Sequence, residues 1–67
     1  MKVEEPGFAP VNEQLHELDT IARRLNVSTK MVRRLIGRGE LGYHQVGRLK
    51  RVSDSQYLEY LSRVRRG

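Results

Sequence analysis

Apolar residues recur at helical spacing over most of the chain, with one stretch that alternates instead. Leu18, Ile21, Ala22 and Leu25 fall on one face of a helix turned by about 100° per residue, which predicts a first helix over Leu18–Leu25. Val11 and Leu15 extend the same face, so a start near Asn12 is a second reading; the later start is preferred. Asp19 then sits in the first turn and Arg23 and Arg24 in the last, the ends where each charge is favourable. Asn26-Val27-Ser28 reads as a turn. Asn26 tolerates the left-handed conformation that stops a helix, Val27 is expected to plug the space between helices, and Ser28 can cap the next one. That next helix ends near Gly39 and divides cleanly. Met31, Val32, Leu35 and Ile36 lie on one half of the wheel, and Thr29, Lys30, Arg33, Arg34, Gly37 and Arg38 on the other.

Residues 42–52 leave helical spacing and read as a hairpin turned at Gly47. Two registers are open. A three-residue loop pairs Val46 with Lys50 and puts Gln45 and Arg51 on the outward face with Arg48 at the tip. A two-residue loop pairs Val46 with Leu49 and exchanges the faces. The register decides which of Lys50 and Arg51 points at a ligand. Ser53-Asp54-Ser55-Gln56 has the spacing of a capping box. Tyr57, Tyr60, Leu61 and Val64 then share one face of a last helix, with Leu58 off that stripe. Residues 1–14 read as a flexible acidic tail broken by Pro6-Gly7 and Pro10. Phe8 is its one large apolar side chain, with docking or disorder as the expected fate. Residues 15–64 form one small, mainly α domain with a β-hairpin, and residues 65–67 a basic end.

Charge sharpens this picture. The net charge is +5, but residues 1–19 hold one lysine against five carboxylates while residues 20–67 hold twelve Lys/Arg against three, giving −4 and +9. The first inference is a polyanionic partner. The chain has no cysteine and two histidines, His16 and His44, which excludes a disulfide framework and argues against a metal site; both histidines read as surface or packing residues. No cofactor is implied. No paired acids, no nucleophile with a base and no glycine-rich phosphate loop is present, so no enzyme activity is expected. The longest apolar runs fall far short of the ~18 residues of a membrane span, and the first residues lack the apolar core of a signal peptide. A cytoplasmic, DNA-associated protein is the expectation, with no membrane and no small-molecule substrate.

A helix, a three-residue turn and a second helix with a cationic outer face make a helix-turn-helix unit. Its second helix is about the length that lies in the DNA major groove. Arg33 is the first choice for a bidentate contact to guanine, and Thr29 for a thymine methyl or a phosphate. Lys30, Arg34 and Arg38 suit phosphates, and Ser28 with its neighbouring backbone N–H groups suits helix capping and phosphate contact. Arg48 at the hairpin tip suits the minor groove or phosphate, with Lys50 and Arg51 beside it. Arg23 and Arg24 are candidate phosphate contacts, and Leu58, Arg63, Arg65 and Arg66 candidate partner contacts.

With these elements in order, the segments Ile21-Ala22-x-x-Leu25-Asn26-Val27-Ser28, Val32-x-x-Leu35-Ile36-x-x-Gly39-Glu40-Leu41 and Val46-Gly47-Arg48-x-x-Arg51-Val52 resemble the small winged helix-turn-helix excisionases of phages and plasmids, relatives of the DNA-binding head of MerR regulators. The likeness covers about residues 15–64. Lys50 stands where the family usually has a large aromatic or aliphatic residue, and Gly42 where many members have Pro. The MerR dimerisation coiled coil is missing, so no heptad-linked dimer is expected. The resemblance implies a recombination directionality factor. Such a protein binds tandem sites beside an attachment site, often together with neighbouring copies of itself, bends the DNA, and directs an integrase towards excision without catalysing it. A small transcriptional regulator of the same fold is the alternative. An RNA-binding module or protein-interaction adaptor ranks third.

Overall fold

A computed structural model describes residues 13–65. Its elements, in order, are β1 (Leu15–His16), α1 (Leu18–Leu25), α2 (Thr29–Gly37), β2 (His44–Val46), β3 (Leu49–Ser53) and α3 (Asp54–Val64). Three helices thus accompany one small antiparallel sheet, in which β3 lies between β1 and β2. The proposed tail, Phe8 and Arg66 lie outside the described residues, apart from Glu13 and Gln14 at the tail's end.

Both of the first two helices stop by the same device. After α1, Asn26 takes a left-handed conformation at φ 61°. The Asn26 N–H donates to the Arg23 carbonyl at 3.2 Å and the Val27 N–H to the Ala22 carbonyl at 2.9 Å, the paired bonds of a Schellman motif. After α2, Gly39 supplies φ 77°, with its N–H on the Ile36 carbonyl at 3.0 Å and the Glu40 N–H on the Leu35 carbonyl at 2.9 Å. Between the two stops, the Ser28 hydroxyl accepts the Met31 N–H at 3.1 Å and caps the start of α2. Val27, expected as a plug, is instead 39% exposed. Its backbone closes the turn, which leaves its side chain outside the core.

The core is small and mostly built by these two helices. Leu18, Ile21 and Ala22 come from α1 and Val32, Leu35 and Ile36 from α2; Leu41 and Val52 complete it. Burying a side chain of Leu, Ile or Val contributes about 1.5–3 kcal/mol. Leu25, Met31, Tyr57 and Tyr60 pack at its edge. The last helix has no fully buried residue, and Val64 in its final turn is exposed, beyond the reach of the core.

The hairpin adopts the two-residue register: His44 pairs with Arg51, Gln45 with Lys50 and Val46 with Leu49. Gly47 has φ 62° while Arg48 is not at positive φ, the signs of a type II′ turn. Lys50 therefore falls on the same face of β3 as Val52, which is in the core. The position itself is exposed. The ammonium group turns to Tyr43, 5.6 Å from the ring centroid.

The capping box forms as expected. The Ser53 hydroxyl accepts the Gln56 N–H at 3.1 Å, and the Gln56 side-chain oxygen accepts the Ser53 N–H at 3.0 Å. Gly42 lies against this Gln56: a Cβ there would stand 3.2 Å from Nε2 and 3.3 Å from Cγ. Glycine at position 42 leaves room for the side chain that caps α3.

One element has no counterpart in the sequence reading. Leu15 pairs with Ser53 and His16 with Val52, so the residues before α1 form a strand instead of extending the helix. Leu15 is consequently exposed. Asp54 fixes this strand from three directions. Its N–H donates to the Gln14 carbonyl at 3.1 Å, its Oδ2 accepts the Gln14 N–H at 3.1 Å, and its Oδ1 accepts from Nε2 of buried His16 at 2.5 Å. Gln14, assigned to the tail by sequence, is thus part of the folded unit.

The hydrogen bond from His16, followed by that from the Gln14 backbone, holds the Asp54 carboxyl below its ordinary value of 3.8. A depressed folded-state pKa gives stability that is complete above the unfolded value and lost as pH falls through the folded one. Urea titrations at pH 6 and pH 3 should show wild type losing more stability on acidification than Asp54→Asn. Equal losses would mean that this carboxylate does not couple folding to pH.

Candidate nucleic-acid interface

The cationic side chains of α2 are positioned by what lies behind them. Val32, Leu35 and Ile36 are buried and Met31 is partly so, which fixes the rotation of the helix about its axis. Lys30, Arg33 and Arg34 are then exposed on the opposite side, with Thr29 half-buried at the first turn. Arg38 follows at the cap. Nine residues at 1.5 Å each make this face about 13 Å long.

Neutralisation separates these cations. Among the described residues, the carboxylates in ion pairs are Asp19 with Arg23 at 3.2 Å, Asp54 with His16, and Glu40 with Arg38 at 3.7 Å. None of them reaches Lys30, Arg33 or Arg34. The first turn of α2 also carries no acidic residue. Three positive charges thus stand together on a fixed face without a counter-charge among the described residues. Arg38 is partly offset, but its pair with Glu40 is largely exposed, and such pairs contribute little. Ser28 is occupied as the helix cap.

The hairpin carries a second set. Arg48 is exposed in the two-residue turn. Lys50 is exposed and lies over Tyr43. Arg51 is half-buried, and its Nη1 donates to the Lys50 carbonyl at 3.0 Å. Of the two neighbours whose roles hung on the register, Lys50 is therefore the more accessible. Arg51 lies on the opposite face, beside Leu49 and across from His44.

The remaining candidates divide between internal contacts and open surface. Arg23 pairs with Asp19 one turn earlier. Arg24 lies over the Tyr57 ring at 5.6 Å, joining α1 to α3. Arg63 donates from Nη2 to the Glu40 carbonyl, tying α3 to the loop after α2. These three arginines have intramolecular work, whereas Arg65 is exposed, Arg66 lies outside the described residues, and Leu58 is 61% exposed.

Val46 and Leu49, paired in one of the two registers left open by the sequence and not among its candidate site residues, form an exposed cross-strand pair next to Arg48. Among the described residues, no group of three or more His, Cys, Asp or Glu side chains is arranged to hold a metal ion, and no helix is long and apolar enough to cross a membrane. No family model, curated protein or solved structure matches this chain.

Arg33→Ala and Arg34→Ala should change folding stability by no more than about 0.5 kcal/mol, the usual range for exposed positions without structural partners. Leu35→Ala on the opposite face should cost about 2–5 kcal/mol. Chemical denaturation of the three variants tests the division. A large loss at Arg33 would mean that its guanidinium serves the fold.

Proposed function

We propose that this chain binds double-stranded DNA as a winged helix-turn-helix, with α2 in the major groove and the β2–β3 hairpin as its wing. The observation that carries the reading is the row Lys30, Arg33 and Arg34, set on a helix whose other face is locked into the core and left without carboxylate partners among the described residues. A major groove about 12 Å wide accepts such a helix. Arg33 reads a guanine through its two-pronged guanidinium, with Thr29 beside it on the base-edge side. Lys30, Arg34 and Arg38 hold phosphates and set the register. Arg48 at the wing tip and Lys50 on its flank add contacts from the hairpin.

We further propose that it acts as an excisionase, bending DNA beside an attachment site and directing an integrase towards excision. This step is supported by the family resemblance carried by the turn, the Gly39-Glu40-Leu41 exit and the Gly47-Arg48 tip. A small transcriptional regulator would use the same interface, and only the recombination step separates the two.

Gel shifts on a duplex site obtained by in vitro selection test the binding step. Affinity should fall by about two orders of magnitude or more between 50 and 200 mM salt, as expected when about five phosphate contacts release counterions. Arg34→Ala should lower the salt slope by about one. Arg33→Ala should cost about 1–3 kcal/mol on the selected site and relax its sequence preference. Binding that ignores salt, or that prefers RNA to duplex DNA, would remove the DNA reading.

The recombination step has its own assay. Excision by the cognate integrase on supercoiled substrate should depend on this protein. Equal excision without it would leave the regulator as the better account.

A further inference from the structure

The end of the hairpin carries a feature that a purely phosphate-binding wing does not need. Val46 and Leu49 face each other across the turn and are 48% and 52% exposed. Side chains in such a pair stand about 5 Å apart and make one continuous apolar patch. Arg48 lies between them in the turn, and no residue from 42 to 50 is buried. Nothing in the described chain covers the pair.

An apolar pair set among cations at a hairpin tip is suited to a partner of matching chemistry. The partner indicated is one with apolar walls and negative potential together. A protein core fits the pair but not the cations around it, while bare phosphate fits the cations but not the pair. The DNA minor groove offers both. Its walls are the C–H faces of deoxyribose, its width is about 6 Å, and its negative potential is strongest where A·T tracts narrow it.

We propose that Val46 and Leu49 are a DNA contact in their own right. They pack on the sugars that wall the minor groove while Arg48 enters between them, so that the wing reads groove width. This rests on the DNA-binding reading given above. It assigns the wing a preference for narrow, A·T-rich sequence next to the bases read by α2. Affinity from these two side chains comes from apolar burial, and it survives salt concentrations that screen the phosphate contacts.

Hydroxyl-radical footprinting, which reports sugar exposure, tests the assignment with the full chain on the selected duplex. Wild type should protect sugars at two places: around the major groove read by α2 and at a minor-groove patch about 5 bp away, half a helical turn. Val46→Thr/Leu49→Thr puts a β-branched residue suited to a strand at both positions and should retain the wild-type circular dichroism spectrum. It should lose the minor-groove patch, bind about tenfold more weakly, and keep the base preference set by α2. Val46→Ile/Leu49→Ile should restore both patch and affinity. Arg33→Ala should do the reverse of the threonine variant, keeping the patch while losing base preference.

If the threonine variant retains patch and affinity, the wing assignment is overturned and the DNA reading stands. If wild type protects no duplex, the DNA reading falls and takes the assignment with it. If wild type self-associates in sedimentation without DNA and the threonine variant does not, while both give the same footprint, the pair serves a second copy and the assignment is overturned.

Discussion

The hydrogen bonds that converge on Ser53 and Asp54 hold together elements from both ends of the described chain. Ser53 ends the central strand, is fully buried, and caps α3 through its hydroxyl. Asp54, the next residue, ties down the short strand before α1 through Gln14 and His16. Val52, on the other side of Ser53, belongs to the core. Sheet, helix start and N-terminal segment therefore meet within three consecutive residues. A domain of this size buries a modest fraction of its surface, so a junction that satisfies several backbone groups at once has a large share in defining the fold. Glycine at position 42 belongs to the same constraint, because a larger residue would press on Gln56, the other half of the cap.

With that junction in place, the core determines which charges remain available. Several arginines are drawn into the protein's own contacts: Arg24 on Tyr57, Arg63 on the Glu40 carbonyl, Arg23 on Asp19. Lys30, Arg33 and Arg34 on the outer face of α2 have no such partners among the described residues. The distinction is one of position rather than number. A basic composition describes the whole chain from residue 20 onward, whereas the unneutralised row belongs to one turn-and-a-half of one helix.

The helices were legible because their signals are local. Leu18–Leu25 followed from its apolar face, and the stops at Asn26 and Gly39 from the residues that tolerate positive φ. The capping box was readable from four consecutive residues. What escaped was non-local. The strand Leu15–His16 is two residues long and exists only because β3 offers an edge to it; its pairing with a segment nearly forty residues away leaves no periodicity to detect. The His16–Asp54 bond has the same origin, and His16 alone reads as a bland packing residue. The hairpin register stood between two alternatives because Gly47 serves either loop, and the choice moved Lys50 to the face of Val52 and brought Val46 opposite Leu49. Of the candidate interface, the exposure of Lys30, Arg33 and Arg34 was readable from the helical period, whereas the half-burial of Thr29, the pairing of Arg38 with Glu40 and the faces of the hairpin were not. Val27 was misread because a turn residue is placed by its backbone bonds, not by its hydrophobicity.

The absence of buried residues along 42–50 has a kinetic and thermodynamic consequence. The hairpin is anchored only at the end of β3, by Val52 and Ser53, so its outer part opens at low free-energy cost and the amides there should exchange far ahead of those of α1 and α2. Whatever ligand engages it must also order it, and part of the gross contact energy is spent on that ordering. Rigidity in this chain is thus graded, from a helix locked into the core to a hairpin whose outer part is compliant. Stiffening the hairpin without adding a contact would raise affinity while narrowing the range of shapes that it accepts.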